Sequence, residues 1–98
     1  MAPIADSARF ARKPGVVETD LEAELVLLDP ATREMFSLNA VGRAVWRALP
    51  GRPVDALAGD LAQAFDVTYE TALDDVRRLL GELLEAGLIA PAGDAGRS

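Results

Sequence analysis

LVLLDPATREMFSLN, residues Leu25 to Asn39, decides the fold. Its first four residues form an apolar run of strand length, and Glu24 extends it backward. Asp29-Pro30 ends the run with the residues that suit the first two positions of a type I turn. The chain is therefore expected to reverse over Asp29 to Arg33 and return as a second arm, Glu34 to Leu38. Side chains alternate along a strand, so Phe36 and Leu38 share one face and Met35 and Ser37 the other. Phe36 and Leu38 are expected to face a core, with this arm at a sheet edge. Upstream, Val16 to Thr19 is short and β-branched and reads as a third strand.

Downstream the period changes from two to about 3.6. Asn39 is an N-cap residue, and Val41, Ala44, Val45 and Leu49 follow at helical spacing until Pro50-Gly51, which predicts a first helix over Ala40 to Leu49. Pro53 suits a first helical position, Asp55 the positive end, and Val54, Leu57, Leu61 and Phe65 recur at steps of three and four, so a second helix runs from Pro53 to Phe65. Thr68 caps a third helix, Tyr69 to Ala86, and Gly87 stops it in the left-handed region. Along this third helix Leu73, Val76, Leu80 and Leu83 form a row, with Leu79 and Leu84 on opposite flanks. That is more apolar surface than one core stripe needs, so the helix is expected to touch two things. The fold class is α+β, in the order β-β-β-α-α-α.

The chain has 98 residues, half of them apolar and 27% charged, which fits one small globular domain. Cysteine and histidine are both absent, which excludes disulfides, thiol or imidazole catalysis, and the metal, haem and iron-sulfur sites that need those ligands. No cofactor, no metal and no catalytic residue is expected. Asp74 and Asp75, neighbours in a helix, point about 100° apart and are poorly placed to share a proton. Gly42, Gly51 and Gly81 form no phosphate-cradling pattern. The formal charge is −6, and residues 15–98 carry seven basic against fifteen acidic side chains, an unfavourable balance for a polyphosphate partner. Neither nucleic acid nor membrane is expected as a partner, and with no signal-like or membrane-length apolar run the chain reads as cytoplasmic. Met1 to Pro14 and Pro91 to Ser98 lack periodicity and read as flexible segments around an ordered unit, Gly15 to Ala90.

From Val16 to Ile89 the chain resembles the PqqD-like family, whose small domains are also called RiPP recognition elements. The resemblance rests on LVLLDPATREMFSLNAVGRAVWRAL (Leu25 to Leu49), VDALAGDLAQAFDVTYETALDDV (Val54 to Val76) and LLGELLEAGLI (Leu79 to Ile89). Within these, Phe36 to Asn39, Val45-Trp46, Asp66-Val67, Asp75-Val76 and Ala86-Gly87-Leu88 carry it in order. The resemblance implies a winged-helix-like domain that is not an enzyme. It binds the leader of a ribosomally synthesised precursor peptide as an added strand beside the third strand, and presents it to a modifying enzyme or leader peptidase. It also implies leader-binding residues on that strand and the third helix: Glu34, Met35, Phe36, Ser37, Leu38, Asp75, Val76, Arg78 and Leu79. The quinone-pathway branch tends to carry Pro-Glu-Gly after its second strand and Cys-Asp-Gly after its first helix, where this chain has Asp29-Pro30-Ala31-Thr32 and Leu49-Pro50-Gly51. The resemblance therefore points to the stand-alone recognition elements, with a chaperone of the pyrroloquinoline quinone precursor as the alternative.

Several of these residues also have plain structural readings. Met35 and Ser37 fit an outward strand face, Asp75 and Arg78 a solvated helix, and Leu79 either core or pocket, whereas Val76, Leu80, Leu83 and Trp46 read as core. A winged helix that binds DNA is the rival class, and it needs a basic recognition helix. The third helix instead sets Arg77 and Arg78 against Glu70, Asp74, Asp75, Glu82 and Glu85. A subunit that docks on a folded enzyme is a third class, compatible with the first.

Overall fold

The computed structural model describes residues 4–49 and 51–92. It contains β1 (Phe10–Arg12), β2 (Val17–Asp20), β3 (Leu25–Asp29), β4 (Glu34–Leu38), α1 (Ala40–Ala48), α2 (Val54–Phe65), α3 (Tyr69–Glu85) and β5 (Ile89–Pro91). Strands β2, β3 and β4 form an antiparallel meander in that order. Leu25 and Leu27 of β3 and Leu38 of β4 turn inward and are fully or almost fully buried. They meet Val45 and Trp46 of α1, Leu57 and Leu61 of α2, and Val76, Leu80 and Leu83 of α3 in one core. Trp46 is completely buried, and the Arg12 guanidinium lies 5.7 Å from its ring centroid, a cation–π distance.

The turns and caps follow from local chemistry. Asp29 accepts the Ala31 N–H at 3.0 Å through its side chain, while its carbonyl accepts the Arg33 N–H and Arg33 closes the reversal at φ 65°. Asn39 caps α1 by accepting the Gly42 N–H at 2.9 Å, and Thr68 caps α3 by accepting the Thr71 N–H at 3.1 Å. Asp66 ends α2 at φ 56°, a conformation that Asp tolerates better than most residues.

The order of elements corrects the expected β-β-β-α-α-α at both ends. β1 lies inside Met1 to Pro14, a segment expected to be flexible, and it pairs antiparallel with β5, whose last residue, Pro91, opens the other such segment, Pro91 to Ser98: Phe10 stands opposite Pro91 and Arg12 opposite Ile89. Phe10 is buried. The carbonyls of Asp6 and Ala8 accept the N–H groups of Asp55 and Val54 at 2.9 and 3.0 Å, so the N-terminal strap caps α2, which has no side-chain cap of its own at Pro53. The Lys13 ammonium donates to buried Asp29 at 2.6 Å, and that contact holds the Asp29 carboxyl below its ordinary pKa. Residues 1–3, 93–98 and Pro50 lie outside the described residues, so the flexibility expected there, and the part of Pro50 in ending α1, lie outside them too. Among the described residues no helix is long and apolar enough to cross a membrane.

The double apolar surface of α3 has two destinations. Leu84 packs toward the strap beside Phe10 and Pro91, while Leu79, on the other flank, lines an open groove.

Candidate functional site

The open side of β4 can be read from the ladder. At the β2–β3 turn the Leu21 N–H donates to the Glu24 carbonyl, so Glu24, Val26 and Leu28 turn their main-chain groups toward β2. Antiparallel bonding alternates residue by residue, so Leu25, Leu27 and Asp29 turn theirs toward β4. Their register partners there are Leu38, Phe36 and Glu34. The N–H and C=O groups of Met35 and Ser37 therefore point away from the sheet, on an edge with no strand partner among the described residues.

Between this strand and α3 runs a groove of about 380 Å³, within the range of small-ligand and peptide side-chain pockets. Phe36, Ser37 and Leu38 form one wall, and Asp75, Arg78, Leu79 and Glu82 of α3 form the other. These α3 positions are a turn apart, as helical spacing requires of one exposed stripe. The start of α1, from Asn39 to Gly42, closes the end. Gly42 is needed there because a Cβ at this position would stand 3.0 Å from the Cβ of Leu38. A second fixing point holds α1 over the sheet: Arg43 donates to both Asp20 carboxylate oxygens at 2.9 and 2.7 Å, and Arg47 adds a contact at 2.6 Å. The Arg43 hydrogen bonds, with the Glu22 N–H, lower the Asp20 pKa to about 2.

The groove's lining mixes apolar side chains (Phe36, Leu38, Val41 and Leu79) with charged ones (Glu24, Asp75, Arg78 and Glu82). Arg78 donates to Asp75 at 2.9 Å, so those two charges offset each other, while Glu24 and Glu82 enter no ion pair among the described residues. No group of His, Cys, Asp or Glu side chains suited to a metal ion occurs among the described residues.

The family model described as Coenzyme PQQ synthesis protein D (PqqD) matches residues 24–89. The chain belongs to the PqqD family. Among solved structures it is similar to TbiB1 in complex with the TbiA(beta) leader peptide, with 27% identity and a TM-score of 0.74 over 85% of this chain and 98% of that one. It is similar also to lasso peptide synthetase B1 complexed with the leader peptide, at 28% identity and a TM-score of 0.73 over 86% of this chain and 100% of that one. The PqqD truncation of Methylobacterium extorquens PqqCD, described as a functional, stand-alone RiPP recognition element, shares the fold, with 22% identity and a TM-score of 0.73 over 89% of this chain and 94% of that one. No curated protein matches the chain.

Within this PqqD-family domain, Phe36, Ser37, Leu38, Asp75, Arg78 and Leu79 come together around the groove. Glu34 and Met35 are exposed on the same strand but do not line it. Val76 is fully buried: it faces the core side of α3, where Leu80 and Leu83 also point, and a groove ligand has no access to it. Sequence reasoning missed Glu24, Asn39, Val41, Gly42 and Glu82 as lining residues. The one local signal for them was a glycine in the first turn of a helix that starts directly after an edge strand.

Proposed function

We propose that this protein is a non-catalytic, winged-helix-like domain that captures the leader of a ribosomally synthesised precursor peptide as an additional strand on β4. It then holds that peptide for a modifying enzyme or leader peptidase. The observation that carries the reading is the outward main chain of Met35 and Ser37 beside a groove that accepts side chains. Strand addition takes affinity from such main-chain groups and selectivity from side-chain pockets. The two similar structures at 27% and 28% identity are complexes with leader peptides. Tethering raises the effective concentration of the rest of the precursor near the enzyme, so no group on this chain has to take part in the chemistry.

The family description favours a second reading, a chaperone of the pyrroloquinoline quinone precursor; the mode of capture is the same and only the peptide differs. DNA binding is disfavoured because both arginines of α3 are already engaged, Arg77 by Asp6 and Arg78 by Asp75. The test is a fluorescence-anisotropy titration against labelled leader segments of short peptides encoded beside this protein, with scrambled leaders and a DNA duplex at low salt as controls. Saturable binding of one leader, lost on scrambling, is the expected result and names the pathway. Silence toward every leader, with salt-sensitive binding to the duplex, overturns the reading.

A further inference from the structure

The face of the sheet turned away from the helices carries one apolar rung where an antiparallel sheet ordinarily meets water with polar residues. Val17, Leu28 and Met35 are register partners across β2, β3 and β4, and Val17 is 47% and Met35 69% exposed. Thr19, Val26 and Ser37 form the next rung. None of these six residues is charged, in a chain where 27% of residues are. The apolar rung ends at Met35, on the edge whose main chain points outward. A strand added there sets one side chain beside Met35 on this outer face, because strand side chains alternate between faces.

We propose that the outer face of the sheet reads the captured strand as well as the groove does: the ligand residue that pairs with Met35 is aliphatic or aromatic and extends the Val17, Leu28, Met35 row by a fourth member. This rests on strand addition and specifies its ligand. Of the two residues that flank the Met35 partner, one stands opposite Phe36 and points the other way, into the groove that Leu38 and Leu79 also line, and the other stands opposite Glu34. The captured segment therefore carries apolar residues adjacent in sequence, one for each face, and is not a strand with a polar back. An added strand matches the dimensions of this face. Three strands about 4.8 Å apart and about 13 Å long offer roughly 200 Å², far below the roughly 800 Å² per partner of a stable interface, so a second copy of the chain is not its occupant.

The experiment is selection from a displayed library of random dodecapeptides on the immobilised protein, in parallel with Met35→Lys and Ser37→Pro. Met35 is exposed, so Met35→Lys keeps the fold, checked by its melting temperature. The wild type is expected to enrich peptides with adjacent apolar residues, and Met35→Lys to replace one of the two, always the same one, by Asp or Glu. In anisotropy titrations the matched partner is expected to bind up to about fivefold more tightly than the mismatched one, as a cross-strand pair allows. Identical motifs from wild type and Met35→Lys overturn the Met35 pairing and leave strand addition standing. Enriched peptides that bind Ser37→Pro as tightly as wild type overturn strand addition itself, and the pairing with it; a protein that enriches no peptide does the same.

Discussion

Leu38, the last residue of β4, lies so close to Gly42 of α1 that a methyl group at position 42 would stand 3.0 Å from its Cβ and 3.1 Å from its Cδ2. The near atom is a Cβ on a strand and cannot swing aside as a side-chain end would. Gly42→Ala gains up to about 1 kcal/mol of helix propensity and meets an overpacking cost of about 1–3 kcal/mol. The expected net result is a loss of about 1 kcal/mol in urea denaturation, together with weaker peptide binding, because α1 must lift from the groove it closes.

Gly81 gives the same substitution the opposite sign. A Cβ there meets nothing within 4 Å, and the residue lies inside α3 with no positive φ. Gly81→Ala is expected to raise stability by about 0.5–1 kcal/mol and to leave leader affinity unchanged, since Arg78 and Glu82 line the groove and Gly81 does not. A fall in the urea midpoint would contradict this.

Ser37→Pro separates the two edges of β4. Its N–H points to the open side, so proline there removes a donor that only an added strand uses, at a position where a sheet edge tolerates it. The expected outcome is a folded protein by circular dichroism whose leader affinity falls at least about tenfold, roughly one hydrogen bond's worth. Phe36→Pro is the control: it removes a bond to β3 and is expected to lower the melting temperature sharply.

Asp20 predicts the acid behaviour. Its folded pKa is about 2 against an ordinary 3.8, so the carboxylate contributes stability above the ordinary value, and that contribution is lost as pH falls through the folded one. Lowering the pH from about 4 to about 2 is expected to loosen α1 from β2. Asp20→Asn is expected to be less stable than wild type at neutral pH, with the difference in urea midpoint shrinking over that window. A difference that holds constant from neutral pH down to pH 2 would assign the effect to packing instead of charge.

Phe10 tests the strap. It is buried between β5 and α3, and truncating a buried phenylalanine costs about 3–5 kcal/mol. Phe10→Ala is expected to lower stability by about 3 kcal/mol, whereas a loose N-terminal segment would leave the melting temperature unmoved.

What the sequence made legible was local. Asn39 and Thr68 cap helices through hydrogen bonds to residues three positions on, and the alternation of Glu34 to Leu38 needs only the strand itself, so these elements stand within a residue of where they were expected. β1 and β5 have no such signature: each is three residues long and exists because the other does. The candidate site divides the same way. Helical spacing brings Asp75, Arg78 and Leu79 to one stripe, but Val76 sits on the core side. Glu24 and Gly42 join the groove only through the folding of the meander against α1, a relationship between elements that no single stretch of chain encodes.

The pairing of Phe10 with Pro91 also sets an order of events. The meander from Val17 to Leu38 and the α2–α3 hairpin close short loops, whereas β1 waits for a partner almost a whole chain away, and long loops close last. During synthesis β1 has no strand to pair with until β5 has left the ribosome, so Phe10 stays uncovered while the open edge of β4 is already formed. In the finished protein the same seam joins β1 to β5, and it is expected to exchange its amide hydrogens before the groove does.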